Sequence, residues 1–377
     1  MTSPDLEWNV SSSQGDRQPL GLFLGAHGGL EELIVPRHGF HLETLPSLKG
    51  GLWGLEFPRQ IMRTCRGYLQ ARRAIMGFKA QAVVGLGGYA SALPILAAWG
   101  TEVPCLILEQ NVIPGRTTRK LAPFANEIGV QFPETSSRLA RPGRVKHLGN
   151  PLRKKLVEAA ASASARNTQL HPAPEEPLLL VLGGSQGARA LNEFVVLAWP
   201  KLKKILPGLR VILVSGRQDE TRAMEAFAAA GVRGQVLPFS ESMEDLYAQA
   251  DVVLARAGAT TLAEVAAFAL PSILIPYPFA TDDHQSANAR VFSSAGAAWT
   301  LFQKNLECDR LAQRIADTVL QPERRRRMAL AAAGLARPQA AAEVVERLER
   351  LAGLRSTKLP PIASPPVTPQ ALIADVA

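Results

Sequence analysis

Between Ala248 and Ala289 the chain reads AQADVVLARAGATTLAEVAAFALPSILIPYPFATDDHQSANA. Two short runs, Val252–Leu254 and Ser272–Ile275, each end in a polar loop that opens a helix. A short apolar run with no polar alternation fits a strand covered on both faces, and a helix then carries the chain back to the next parallel strand. That alternation confines the chain to an α/β fold built on a parallel sheet. The first loop, Arg256–Thr261, enters its helix through Gly258, Ala259 and the hydroxyls of Thr260 and Thr261, with Leu262 behind them. Such a helix start offers free N–H groups and a positive dipole end to an anion. Glu264 falls in the first turn or so, where a carboxylate either caps the turn or accepts hydrogen bonds from sugar hydroxyls. The second loop, Pro276–Asp283, leads to a helix near His284 and Gln285. Polar groups therefore gather at the C-terminal ends of parallel strands, where open α/β sheets bind ligands. Ordinary capping explains either loop alone; together they point to a nucleotide-type site.

The same unit recurs on both sides of this stretch. Leu178–Leu182 is an apolar strand that turns through Gly183-Gly184-Ser185-Gln186-Gly187-Ala188 into a helix over Ala190–Leu197. That turn suits a phosphate, with Ser185 as an extra donor. It is not GxGxxG and no acidic residue stands where a dinucleotide ribose needs one, which disfavours NAD. Val211–Val214 and Val236-Leu237 follow, the latter ending in Pro238-Phe239-Ser240. In the first half, Leu22–Leu24 leads into Gly25-Ala26-His27-Gly28-Gly29, and Ala82–Val84 into Gly85–Ser91. Gly87 and Gly88 there permit close backbone approach. Val103–Leu108 ends in Glu109-Gln110-Asn111, either an Asx-type turn or a set of groups facing a cleft. Ile128–Phe132 and Val145–Leu148 complete the strands.

The 377 residues suggest two domains. The expected division is a disordered N-terminus over 1–20, a first Rossmann-like domain over 21–160, a linker over 161–176 and a second Rossmann-like domain over 177–337. A helix over 338–354 and a Pro-rich disordered tail over 355–377 follow. No run reaches the roughly 18 apolar residues of a membrane span. The polar start has no signal-peptide core, so a cytoplasmic location is expected. Cys65, Cys105 and Cys308 fit reduced thiols rather than a disulfide framework or a zinc site.

The net charge is +9, which suits phosphorylated substrates or an anionic membrane surface. Nucleic acid ranks last, because no module and no basic–aromatic interleaving is present. Leu52, Trp53, Leu55 and Phe57 are followed by Arg59, Arg63, Arg66, Arg72, Arg73 and Lys79. This helix either lies on an anionic bilayer or packs with its basic side in water. Arg324–Arg327 reads as a solvated helix face.

VVGLGGYAS (Val83–Ser91), LEQNVIPG (Leu108–Gly115), GNPLR (Gly149–Arg153), LGGSQGARALN (Leu182–Asn192), RAGATTLAE (Arg256–Glu264) and DDHQSANA (Asp282–Ala289) together resemble the MurG family of bacterial glycosyltransferases, glycosyltransferase family 28. The resemblance spans roughly Gly21 to Leu351. It implies a GT-B fold, two Rossmann-like domains facing across a cleft, with Pro338–Leu351 as the helix that crosses back onto the first domain. It also implies an inverting transfer of N-acetylglucosamine (GlcNAc) from UDP-GlcNAc to the 4-hydroxyl of N-acetylmuramic acid (MurNAc). The acceptor is undecaprenyl-pyrophosphoryl-MurNAc-pentapeptide (lipid I), and the product is lipid II of peptidoglycan synthesis. On this resemblance the base meets backbone near Phe239 and Ser240, and Glu264 accepts the ribose hydroxyls. Ser185, with Ala259, Thr260, Thr261 and Leu262, holds the diphosphate. Gln285, with His284 beside it, contacts the GlcNAc hydroxyls. Asn111 reaches the donor from the first domain, Arg153 lies at the hinge, and Gly87, Gly88 and Tyr89 line the acceptor side. No cofactor and no bound metal are implied, since helix N-termini and hydroxyls stabilise the leaving UDP.

The family begins with a strand and a GGTGGH-type loop whose His is thought to act as base, and nothing in Met1–Leu20 matches it. GLFLGAHGGLEELIVPRHGF aligns with the family's second strand region, so His27 is not that base and the catalytic residue is unassigned. The first strand, first helix and catalytic loop are expected to be missing or replaced, either because the start lies further upstream or because the chain diverges. The implied setting is the cytoplasmic face of the plasma membrane, peripherally bound, with an anionic lipid surface and a cell-wall synthesis complex as partners. The alternatives are another UDP-sugar GT-B enzyme or epimerase, and a non-catalytic UDP-sugar-binding paralogue.

Overall fold

The computed structural model describes residues 21–46, 57–183 and 189–354. The expectations for 1–20, for 355–377, for Leu52, Trp53 and Leu55, and for Ser185 fall outside those residues. The first half runs β1 (Leu22–Ala26), α1 (Glu31–Arg37), β2 (His41–Leu45), α2 (Phe57–Gly77), β3 (Val83–Gly85), α3 (Ala92–Gly100), β4 (Cys105–Glu109), α4 (Arg116–Leu121), β5 (Glu127–Val130) and β6 (Val145–His147). After α5 (Lys154–Asn167) come β7 (Leu178–Leu182), α6 (Arg189–Ile205), β8 (Arg210–Val214), α7 (Glu220–Ala230), β9 (Gly234–Leu237), α8 (Met243–Gln249) and β10 (Val252–Ala255). The chain continues through α9 (Ala259–Ala267), β11 (Ser272–Leu274), α10 (His284–Ser294), β12 (Ala298–Thr300), α11 (Cys308–Leu320), α12 (Pro322–Leu335) and α13 (Ala340–Leu351). Every strand pair is parallel. This is the α/β architecture of two Rossmann-like domains.

The second sheet has the order β12-β11-β10-β7-β8-β9. β7 is its centre because LLLVL has apolar side chains for both faces, and all five residues are buried. From β7 the chain moves outward through β8 and β9, then returns to place β10 on the other side. The crevice at the carboxyl ends of β7 and β10 is thus a topological switch point, the place where such sheets bind ligands.

The first half is divided differently. β3-β4-β5-β6 form one sheet, and β1-β2 form a separate pair. Both stand under one helical layer: Leu24 and Leu45 share a core with Ala71 and Ile75 of α2 and Ile95 of α3. Among the described residues no strand lies between β1 and β3 as β7 lies between β8 and β10. The consequence is exposure. Phe23 and Val84 are 36% and 38% exposed, whereas no residue of β7 exceeds 5%.

Several details differ from the sequence reading. α5 extends through Asn167, so residues 161–167 are helix rather than linker. Its Leu156, Ala160 and Ala163 pack with Leu178, Leu180 and Tyr247 in the second domain's core. α6 continues past Leu197 through Pro200, because Trp199 and Leu202 are buried at 2% and 0% exposure. Arg324–Arg327 is not simply a solvated face. Arg325 donates to the carbonyls of Val319, His171 and Pro172, and Arg326 to that of Thr168. Arg324 lies over the Trp299 ring. The edge strand β12 was not anticipated; three residues are too few to show a period.

α13 packs Val344, Leu348 and Leu351 onto Leu106, Leu108 and Leu148 of the first sheet. Arg347 adds an ion pair to Glu127 at 3.4 Å. The chain reaches this position by passing Gly149, whose φ of +83° and close contact with Arg337 leave no room for a side chain. The C-terminal helix therefore ties the two domains together, next to the hinge that leads into α5.

Candidate active site

α9 begins at the switch point. Gly258, its N-cap residue, is extended at φ −69° and ψ 137°, so the chain turns sharply from β10 into the helix. Ala259 is nearly buried at 9% exposure, Thr260 is exposed, Thr261 is half-buried and Leu262 is buried beneath them. The helix start thus presents backbone N–H groups and two hydroxyls with an apolar floor, the arrangement that receives a phosphate. Ser185 follows β7 in the sequence and lies outside the described residues.

Glu264 sits in the second turn of α9, one turn later than the sequence reading placed it. Its Oε2 accepts the Tyr247 hydroxyl at 2.8 Å. Tyr247 is fully buried on α8 and packs on the Phe268 ring at a centroid distance of 5.2 Å. Burial pushes the Glu264 carboxyl up, while the Tyr247 hydrogen bond and the nearby Arg153 charge pull it down. Burial, with the adjacent carboxylate, pushes the Tyr247 hydroxyl well above its usual range. Tyr247 therefore stays protonated and donates, holding one oxygen of Glu264 in place. Arg153 is exposed at the N-cap of α5 and supplies positive charge to the same carboxylate.

The α10 start is also braced. Gln285 Oε1 accepts the Tyr277 N–H at 2.9 Å, and His284 Nδ1 lies 2.8 Å from the Thr281 carbonyl. An imidazole facing a carbonyl must carry its proton on that nitrogen. Asp282 and Asp283 both adopt positive φ. Asp283 accepts the Ser286 hydroxyl at 2.6 Å, and Asp282 reaches across to Arg119 at 2.7 Å. Ser240 is half-buried beyond β9, beside the exposed Phe239, whose ring lies 5.9 Å from the Arg217 guanidinium carbon. Gly87 and Gly88 take φ of +84° and +71° in the turn after β3, and Tyr89 beside them is 58% exposed.

The two domains meet around Asn288, which is fully buried. Its Oδ1 accepts the Val112 N–H at 2.9 Å, and its Nδ2 donates to Asn111 Oδ1 at 3.0 Å and to the Ala257 carbonyl at 3.1 Å. Asn111 thus joins the domains directly. Its loop is organised by the buried Glu109, whose carboxylate accepts the N–H groups of Asn111 and Gly115. No Asx turn is needed there. Gln131 donates to the Ala259 carbonyl at 3.0 Å, and Asn150 to Thr260 Oγ1 at 3.4 Å.

Sequence reasoning placed Asn111, Thr260 and Gln285 at strand ends and helix starts, where the structure has them. It missed Tyr247, offered Glu109 as a cleft-facing group where it is buried and holds the Asn111 loop, and did not single out Asn288 within DDHQSANA. His27 is exposed and pairs with Glu32 at 3.1 Å, within a loop whose N–H groups are capped by Glu31 and Glu32. Among the described residues no cluster of three or more His, Cys, Asp or Glu could hold a metal ion. Nor is any helix among them long and apolar enough to cross a membrane.

Residues 16–130 match the glycosyltransferase family 28 N-terminal domain and residues 178–344 its C-terminal domain. A relative from Anaeromyxobacter dehalogenans (strain 2CP-C) is 40% identical over 328 residues, covering 86% of this chain and 83% of its own. It is named UDP-N-acetylglucosamine--N-acetylmuramyl-(pentapeptide) pyrophosphoryl-undecaprenol N-acetylglucosamine transferase. Among solved structures, Acinetobacter baumannii MurG superposes with a TM-score of 0.69 at 28% identity, covering 87% of this chain and 90% of that one. A UDP-GlcNAc 2-epimerase from Neisseria meningitidis bound to UDP-GlcNAc superposes with a TM-score of 0.60 at 12% identity, over 87% of this chain and 91% of that one. At that identity the likeness shows the fold alone.

The Tyr247–Glu264 pair gives a pH-dependent expectation. Removing the hydroxyl in Tyr247→Phe leaves burial unopposed by that donor, so the Glu264 titration midpoint rises. Carboxyl-selective NMR across a pH series reads this directly. An unchanged midpoint contradicts the pairing.

Proposed function

The chain belongs to glycosyltransferase family 28, and we propose on that premise that it transfers GlcNAc from UDP-GlcNAc to the MurNAc 4-hydroxyl of lipid I, giving lipid II. The enzyme is a hexosyltransferase of peptidoglycan synthesis. The acceptor oxygen attacks the anomeric carbon, the bond to the diphosphate oxygen breaks, and configuration inverts. The acceptor's proton passes to a base that none of the described residues is assigned to provide.

The observation that carries this reading is the pairing of an open α9 N-terminus with Glu264, braced one turn further along the same helix. The leaving diphosphate meets the N–H groups and hydroxyls of Ala259–Leu262, with Ser185 from the preceding loop. Preorganised donors of this kind act where charge develops and cost no reorganisation during reaction. Glu264 accepts the ribose hydroxyls through the oxygen that Tyr247 does not hold. Base recognition falls to backbone near Ser240. Gln285, with His284, contacts the GlcNAc hydroxyls. Asn111 borders the donor from the first domain, Arg153 tunes Glu264 at the hinge, and Gly87, Gly88 and Tyr89 face the lipid-linked acceptor.

The outward side of α2 supports attachment to an anionic membrane at the cytoplasmic face. Ile61, Met62, Leu69 and Met76 are 46%, 67%, 49% and 55% exposed, and Arg63, Arg66, Arg72 and Arg73 are exposed among them. The inward side buries Ala71, Ala74 and Ile75. Apolar and basic groups on one solvent-facing surface suit a headgroup layer, and a cell-wall synthesis complex is the natural setting there. A second reading, UDP-sugar binding without turnover, is favoured by the division of the first half's strands into two sheets, no strand joining β1 to β3 among the described residues.

Transfer of labelled GlcNAc from UDP-GlcNAc to a lipid I analogue tests the activity. Wild type is expected to form lipid II, and Glu264→Ala to lower kcat/KM about 10- to 100-fold, the cost of losing a charged hydrogen-bond acceptor. Tight UDP-GlcNAc binding with no product supports the second reading, and neither binding nor product contradicts both.

Vesicle co-sedimentation tests the membrane face. Reversing Arg63, Arg66 and Arg73 to Glu is expected to weaken binding to anionic vesicles about a hundredfold or more, at about 1 kcal/mol per basic residue. Unchanged binding contradicts that role.

A further inference from the structure

Arg256 directly follows β10 and is only 7% exposed. Among the described residues it forms no ion pair. Its Nη1 donates to the carbonyls of Ile275 at 3.0 Å and Pro276 at 3.2 Å. Its Nη2 donates to Gln303 Oε1 at 2.8 Å, and its guanidinium carbon lies 5.6 Å from the Tyr277 ring centroid. Nε is buried without a partner. Burial with only neutral acceptors pulls the guanidinium down to about 10.

A cation buried without a carboxylate is a poor way to hold a core together. Apolar residues of similar volume often serve as well or better. What a guanidinium supplies instead is a rigid planar fork of donors. Here the fork spans two segments, the exit of β11 and the turn after β12. The residue after its second acceptor is Tyr277, whose N–H engages Gln285 Oε1. With Oε1 occupied, the Gln285 amide has its NH₂ group to offer as donor.

We infer that Arg256 is a positioning residue: through the Ile275–Tyr277 turn it sets the orientation of the Gln285 amide, and thereby the recognition of the donor's sugar. The inference rests on the reading of Gln285 as the GlcNAc contact. It separates two parts of donor binding. The uridine and diphosphate depend on α9 and Glu264, while the sugar depends on the loop that Arg256 pins.

Calorimetric binding of UDP and of UDP-GlcNAc to the full chain tests this, with Arg256→Met, Arg256→Lys, Gln285→Ala and the Arg256→Met/Gln285→Ala double variant. Arg256→Met is expected to keep UDP affinity within about twofold and to lower UDP-GlcNAc affinity about tenfold, with little change in Tm. Arg256→Lys keeps the charge without the fork and is expected to resemble Arg256→Met. The double variant is expected to lose no more than Gln285→Ala alone, since both changes remove the same contact. Equal losses for UDP and UDP-GlcNAc, additive losses, or failure of both Arg256 variants to fold assign Arg256 to fold support and overturn the inference. If Gln285→Ala itself leaves the UDP-GlcNAc preference intact, the sugar-contact reading fails first and the inference with it. If Gln285→Ala abolishes the preference and Arg256→Met does not, only the inference fails.

Discussion

A parallel sheet puts all of its carboxyl ends on one edge, and at β7 the chain leaves in opposite directions from neighbouring strands. No connection covers that point, so the sheet opens into a crevice. Everything functional in the second domain follows from this placement. The start of α9 and the start of α10 stand at the same rim. The β7 strand can occupy the centre only because it carries five apolar residues in succession, covered on both faces by separate cores.

The contacts that close the domains onto each other are largely polar. Asn288, Gln131, Asn150 and the Arg119–Asp282 pair each bridge the halves. An intramolecular hydrogen bond contributes about 1 kcal/mol net, whereas a buried polar group left unpaired costs about 1–3 kcal/mol. Asn288 is therefore a sharp determinant: its amide is satisfied when the domains meet and loses partners when they part. Val112 and Phe132 insert from the first domain into the second domain's core, and α13 spans both. The arrangement joins the domains through a few polar bridges and two inserted apolar side chains.

Much of this was legible in the residues. Apolar runs without alternation announced the buried parallel strands, and Gly-rich or hydroxyl-rich turns announced the helix starts. What escaped was set by three-dimensional neighbours. Tyr247 lies in MEDLYAQ, an ordinary amphipathic stretch; only the packing of α8 on α9 brings its hydroxyl to Glu264. The small residues of α5 read as linker composition, yet Ala160 and Ala163 are small because the helix lies close against the second domain. Arg325 and Arg326 looked solvated because nothing local shows that the carbonyls of Thr168, His171 and Pro172 pass beside them. Nothing in Met1–Leu20 resembles the family's opening loop, and among the described residues no strand lies between β1 and β3.

The central claim is that the second domain's switch point holds the donor. A crystal structure of the protein soaked with UDP-GlcNAc tests it most directly. The account predicts the diphosphate at the α9 N-terminus, the ribose hydroxyls on Glu264 and the sugar beside Gln285. Nucleotide density elsewhere, or none at saturating concentration, contradicts it.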